Sequence, residues 1–199
     1  MELDRLTQQV MARLFIPLEA SGRHVHLTEA QSQVLFGHLL TPKRPLSQPG
    51  QYLANERLTI QGPKGSFENV AVLGPERNAG QVEISLTDAK TLGVTPPVRL
   101  SGKVENSPGI VLRGSMGTVT LPQGVIAAQR HIHMTPEDAK RFGVADKQVV
   151  RLQVYTQRPL IFEDVTVRVS ESYATFAHLD YDEANACGFQ AGDLGRIVK

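Results

Sequence analysis

Apolar positions recur at three- and four-residue spacing over residues 2–14 and then change period. Leu3, Leu6, Val10 and Leu14, with Met11 alongside, mark one face of a short amphipathic helix over ELDRLTQQVMARL. Glu2 and Asp4 fall in its first turn and Arg13 in its last, as the helix dipole favours. Pro17 closes the segment. From Phe15 onward the pattern is one of short strands. The longer candidates are Arg57–Gln61, Ser66–Leu73, Gln81–Ser85, Gln148–Tyr155 and Leu160–Val169, with shorter ones between them. Pro or Gly punctuates most gaps, as in Gln48–Gln51, Gly62–Gly65 and Ser107–Gly109. Many short strands at close spacing predict barrels rather than a parallel α/β sheet.

Two internal repeats refine this picture. Arg23-His-Val-His-Leu27 returns as Arg130-His-Ile-His-Met134, each copy followed by Thr and a helix-like stretch. A short helix ending in Gly plus an apolar residue occurs at Thr87–Val94, Pro136–Val144 and Asp182–Phe189, with Thr87, Thr135 and Asp182 as candidate caps. The expected architecture is mainly β, with two related small β-barrels carrying short helical caps.

Composition narrows the class. Of 199 residues, 41% are hydrophobic and 21% charged, which fits a globular chain. A net charge of +1 gives no basis for expecting nucleic acid or an anionic membrane as partner. The chain has no apolar run long enough for a membrane span, and its first residues lack a signal region, so a non-secreted chain is expected. Cys187 is alone, which excludes an intrachain disulfide and fits a reducing compartment. Its apolar neighbours read as core, not as the setting of a nucleophile.

Four of the six histidines lie in the two His-x-His pairs, at His24, His26, His131 and His133. On an extended strand, residues i and i+2 share a face, so both imidazoles of a pair can converge on one metal. One such pair alone also describes two surface histidines; its duplication in an Arg-His-x-His context favours metal. Further ligands are needed for three-ligand sites, and His178 is a plausible partner. Glu83 alternates with Val82 and Ile84, a pattern that usually leaves the acid facing solvent. Arg77, in Gly74-Pro-Glu-Arg77, suits an oxyanion, and Lys64 sits in the Gly62-Pro-Lys-Gly65 turn. The chain has no Walker A loop and no dinucleotide fingerprint.

Taken in order, Arg23–Leu27, Leu46–Gly50, Gly62–Gly65, Val72–Pro75 with Arg77, Gln81–Ser85, Gly124–Ile126, Arg130–Met134 and Asp182–Asn185 resemble the PduL-type phosphate propanoyltransferase family. These are phosphotransacylases of many bacterial microcompartments. The resemblance implies barrels interleaved in chain order: 15–22 with 129–199 form one, and 23–128 the other, with a small inserted segment near 40–56. It implies a dinuclear zinc site, two zinc per chain, facing coenzyme A. His24, His26 and Glu83 would hold one zinc; His131, His133 and His178 the other. Arg77 would hold phosphate, and Ser21, Lys64 and Asn185 would contact coenzyme A. The reaction implied interconverts a short-chain acyl-CoA (propanoyl-CoA or acetyl-CoA) plus phosphate with acyl phosphate plus CoA. A homodimer is implied, with a cytoplasmic location inside a microcompartment. Residues 1–14 resemble an encapsulation peptide for shell or lumen proteins. Ala71 stands where many members have Arg, which implies a weaker contact to a CoA phosphate. On the residues alone, a zinc-dependent acyl-CoA hydrolase and a non-enzymatic barrel scaffold remain alternatives.

Overall fold

The computed structural model describes residues 2–198. In chain order its elements are α1 (Glu2–Leu14), β1 (Ile16–Ser21), β2 (His24–His26), α2 (Glu29–Phe36), β3 (Pro42–Pro45), β4 (Tyr52–Gln61) and β5 (Ser66–Gly74). There follow β6 (Gln81–Glu83), α3 (Leu86–Leu92), β7 (Val98–Arg99), β8 (Ile110–Arg113), β9 (Thr118–Leu121), β10 (Val125–Ala128), β11 (His131–Met134) and α4 (Pro136–Phe142). The last are β12 (Val149–Tyr155), β13 (Leu160–Val169), β14 (Phe176–Asp180), α5 (Tyr181–Cys187) and β15 (Leu194–Val198). None of the described helices is long and apolar enough to cross a membrane.

The chain divides into two units. One runs up to Ser21 and resumes at Gln129; the other is Gly22–Ala128. In the first, six strands close a barrel in the order β1-β14-β11-β13-β12-β15. Its core holds Ile16, Leu18, Ile132, Met134, Leu152, Val154, Val165, Val167, Ala177 and Leu179, the inward alternates of these strands. Cys187 lies in the same core, fully buried. In the second unit the strands form a nine-stranded half-barrel, β7-β10-β6-β2-β5-β4-β8-β9 with β3 on β4. Val25, Leu27, Leu58, Ile60, Val72, Val82, Leu112 and Val125 fill it. The mainly β reading therefore holds, but only the first unit closes its ladder.

The two units repeat one local plan. β2 runs antiparallel to β6 and parallel to β5, and β11 runs antiparallel to β14 and parallel to β13. A threonine then caps the next helix: Thr28 on α2 and Thr135 on α4 each accept an N–H from the third residue of the helix. The caps of α3 and α5 differ from the expected Thr87 and Asp182. Ser85 and Asp180, two residues earlier in each case, accept the N–H groups of Asp88 and Glu183, and those acids reach back to the cap's own N–H. A complete capping box outcompetes a later single cap. In α1, Leu6, Val10, Met11 and Leu14 are exposed. The Leu3 side chain, part of the expected stripe, lies outside the described side chains.

Candidate metal centres and phosphate site

β2 presents His24 and His26 to one side, and its antiparallel neighbour sets Glu83 directly opposite His24. One ligand atom from each of the three lies within 4.8 Å of the others. His24 Nδ1 is 2.8 Å from the Gly22 carbonyl, which can only accept, so this nitrogen carries the proton. Nε2 is thereby the nitrogen that the neutral ring would offer to a metal; it faces the group 3.6 Å from Glu83 Oε1, and His26 Nε2 is 3.7 Å from the same oxygen. Contrary to the expectation that an acid alternating with apolar residues faces solvent, Glu83 is only 7% exposed, because β6 lies between β2 and β10 and all three of its residues are buried.

The electrostatics follow from that packing. Burial alone would raise the Glu83 pKa, but the charge and hydrogen bond of His24 and the charge of His26 hold it far below the usual carboxylate range. Burial opposes charge on His24 as well, yet Glu83 and the Gly22 carbonyl raise its pKa. His26 is pushed well down, by burial first and then by the charges of His24 and Arg77.

The barrel unit holds a matching group. His131 and His133 lie on β11, and β14 sets His178 opposite His131. Their ligand atoms also fall within 4.8 Å of one another. His131 Nδ1 donates to the Gln129 carbonyl at 2.8 Å, two residues back, just as His24 does to Gly22. The His131 and His178 rings stack at 5.0 Å, and His133 stacks on Tyr173 at 4.1 Å. Glu19 on β1 brings Oε2 to 3.3 Å from His178 Nδ1. Two imidazoles plus a carboxylate, or three imidazoles, are donor sets of three-ligand zinc sites with an open position. A ring N–H tied to a carbonyl is the outer support such ligands need. The residues present therefore fit zinc in both units.

Arg77 lies close enough for its charge to work against protonation of both histidines of the half-barrel unit, and its Nη1 donates to Ser101 Oγ at 3.3 Å. Ser101 Oγ also accepts from Gln81 Nε2 at 2.9 Å, and the same Nε2 donates to Glu83 Oε1 at 2.6 Å. The Gln81 side-chain Oε1 accepts from the Gly102 N–H at 2.8 Å, and the Ser101 hydroxyl bonds Glu83. A polar chain thus joins the arginine to the carboxylate. Sequence reading missed Gln81 and Ser101. The available signal was a polar residue at the start of an apolar strand, which names no partner.

The remaining candidates are more dispersed. Lys64 is exposed at the hairpin between β4 and β5, and its N–H donates to the Leu92 carbonyl at the end of α3, 3.0 Å away. A Cβ on Gly62 would lie 2.3 Å from that carbonyl oxygen, so the turn needs glycine to dock. Gly114-Ser-Met-Gly117 docks likewise on α2: the Met116 N–H donates to Leu35 at 2.9 Å, and a Cβ on Gly114 would lie 2.2 Å from that oxygen. Lys64 is thus placed at a helix end, seven residues before Ala71, which pairs with His24. In the barrel unit Ser21 ends β1 opposite Asp180, the cap of α5, and Asn185 is exposed on that helix.

Two three-ligand groups, one with an arginine beside it, are equipment for Lewis-acid chemistry on an anionic substrate, and the comparisons with known proteins give the class of reaction. Residues 17–190 match the sequence model of the phosphate propanoyltransferases, and the chain belongs to that family. It is 51% identical to the phosphate propanoyltransferase of Clostridioides difficile strain 630, over 99% of this chain and 97% of the relative. It is 52% identical to that of Enterococcus faecalis strain V583, over 100% and 94% respectively. To that of Thermotoga maritima strain MSB8 it is 54% identical, over 90% and 87%. The protein is accordingly an acyltransferase with phosphotransacylase activity.

Proposed function

We infer that the chain interconverts propanoyl-CoA or acetyl-CoA plus phosphate with the acyl phosphate plus CoA, using one zinc ion in each unit. The observation that carries this reading is the pair of three-ligand groups, one buried and one largely so, each with its leading histidine tied by Nδ1 to a backbone carbonyl. A phosphate oxygen attacks the thioester carbonyl carbon; the carbon–sulfur bond breaks, and the proton lost by phosphate ends on the CoA sulfur. Zinc held by these residues supplies a Lewis acid for oxygen and an acceptor suited to sulfur. Arg77 orients phosphate and offsets its charge as the two anions meet. Gln81 and Ser101 hold the Glu83 carboxylate in place. Ser21, Asn185 and Lys64 contact coenzyme A in this reading. Cys187 takes no part, since its thiol is buried in the barrel core.

The exposed face of α1, with Leu6, Val10, Met11 and Leu14, supports a docking role for that helix. We propose that it carries the protein, as a homodimer, into a bacterial microcompartment by engaging shell or lumen proteins.

The test is CoA release from propanoyl-CoA and acetyl-CoA, with and without phosphate, on protein whose zinc has been counted. Phosphate-dependent release with two zinc per chain is expected. Release without phosphate identifies a hydrolase instead. No release from folded, zinc-loaded protein leaves a scaffold.

A further inference from the structure

Each His-x-His pair is preceded by an arginine, and in both units that arginine reaches the same kind of partner. Arg23 grips Asp88 with both arms, Nε to Oδ2 at 3.0 Å and Nη2 to Oδ1 at 2.6 Å. Arg130 Nη1 donates to Glu183 Oε1 at 2.9 Å, and its Nε donates to the Glu163 carbonyl at 2.6 Å. Asp88 and Glu183 are the third residues of α3 and α5, and each closes the capping box of its helix. Those helices start directly after the strands that carry Glu83 and His178: the caps Ser85 and Asp180 lie two residues beyond them. The link therefore runs from the His-x-His strand, through arginine and acid, to the helix cap, and back to the third member of the group.

The strands joined this way are short. β2 and β6 have three residues each, so their mutual ladder is brief and open to twisting at its ends. The ion pairs pin the end at which His24 faces Glu83 and His131 faces His178. Asp88 is buried, and the Arg23 guanidinium lies 4.1 Å above the Phe67 ring, which leaves it little freedom. A bidentate guanidinium–carboxylate pair fixes orientation as well as distance.

We propose that Arg23 and Arg130 are positioning residues, each holding the third ligand of its own metal group, Glu83 or His178, in register with the His-x-His pair. The inference rests on the metal reading given under the proposed function.

Cobalt(II) is the probe. Metal-free wild type, Arg23→Met, Asp88→Asn, the double variant and Arg130→Met are titrated, with visible absorption and chelator competition as readouts. Wild type is expected to take two equivalents. Arg23→Met and Asp88→Asn should each weaken one equivalent by roughly 10–100-fold, the usual effect of removing outer support, with an altered spectrum for that equivalent alone. The double variant should be no weaker than the worse single one, since both remove one link. Arg130→Met should weaken the other equivalent. Arg23→Lys, which keeps the charge but not the fork, should fall between and serves if Arg23→Met does not fold. Two equivalents bound as tightly as in wild type, or both weakened alike, overturns the proposal while leaving the metal reading intact. No cobalt uptake by folded wild type overturns the metal reading itself, and this proposal with it.

Discussion

Glu83 and His178 hold the same position in two copies of one arrangement. Each stands directly opposite the first histidine of a His-x-His pair, on the antiparallel neighbour of that strand. One copy thus offers two imidazoles and a carboxylate, the other three imidazoles. The carboxylate group has lower net charge when it holds a dication, and the two groups differ in the charge they present to an anion.

A metal count follows from this equivalence. Glu83→Ala and His178→Ala should each lower zinc from two per chain to one, and the double variant to none. Loss of an outer support costs roughly 10–100-fold, so loss of a ligand should lower turnover by at least about a hundredfold. Glu83→His, which copies the barrel unit's donor set, should keep both ions. Elemental analysis after gel filtration reads the count. A Glu83→His variant with one zinc shows that the two backbones are not interchangeable at this position.

The His-x-His pairs were visible in the sequence because a strand has period two, so spacing alone places both rings on one face. Their partners were harder to see. Glu83 alternates with apolar residues, and only the sheet order, with β6 inside between β2 and β10, explains why such an acid is buried. Ser101 stands 18 residues beyond Glu83, and no local pattern joins them; the loop after β7 does so. The helix-ending glycines were legible, since Gly93, Gly143 and Gly188 all adopt positive φ. The sequence motif places two of the caps two residues too late, because Ser85 and Asp180 cap helices that begin before it.

Arg77 offers a separable defect. It lies near both histidines of the half-barrel group yet is not one of the three residues whose atoms converge. Arg77→Ala should therefore leave the zinc content at its wild-type value, raise the KM for phosphate and lower kcat by roughly a hundredfold, as when one donor to a developing anion is removed. Steady-state kinetics with phosphate varied, alongside a zinc assay, check this. Unchanged phosphate kinetics would remove Arg77 from the role assigned to it.

Stability should carry a pH signature from Glu56. Its Oε2 accepts the Thr41 N–H at 3.0 Å and its Oε1 the Thr41 hydroxyl at 2.6 Å, with His38 Nδ1 3.7 Å away. Burial works to raise its pKa, but the Thr41 bonds and the His38 charge win and lower it. A carboxylate with a folded pKa below its unfolded value of 4.5 adds stability above that value and loses it as pH falls through the folded pKa. Glu56→Gln should cost about 1–2 kcal/mol at pH 7 by urea unfolding. The difference should shrink as pH drops below 4.5. A gap that stays constant with pH would mean that the charge contributes nothing.

Cys187 should prove inert in the native protein. Burial, then the Asp193 charge, raise its thiol pKa, and its Sγ–H donates to the Ala184 carbonyl at 3.4 Å. Reaction with an aromatic disulfide reagent should wait on unfolding. Cys187→Ala should retain full turnover and lose about 1–2 kcal/mol of stability from the core. Loss of turnover with stability preserved would give the thiol a role the fold does not suggest.

Gly62 and Lys64 share one turn but should respond oppositely to substitution. Alanine at Gly62 sets a Cβ 2.3 Å from the Leu92 carbonyl oxygen, and a backbone atom cannot swing aside as a side chain would. The hairpin must lift from α3, at a cost of about 2 kcal/mol or more. Lys64 is exposed, so Lys64→Ala should change stability by less than about 0.5 kcal/mol. If its ammonium meets a phosphate of coenzyme A, the KM for acyl-CoA should rise about tenfold, the equivalent of roughly 1.4 kcal/mol, with the KM for phosphate unchanged. Thermal melts and a two-substrate kinetic grid on both variants separate the effects. An unchanged acyl-CoA KM would leave Lys64 as a cation at a helix C-terminus, where the dipole already favours it.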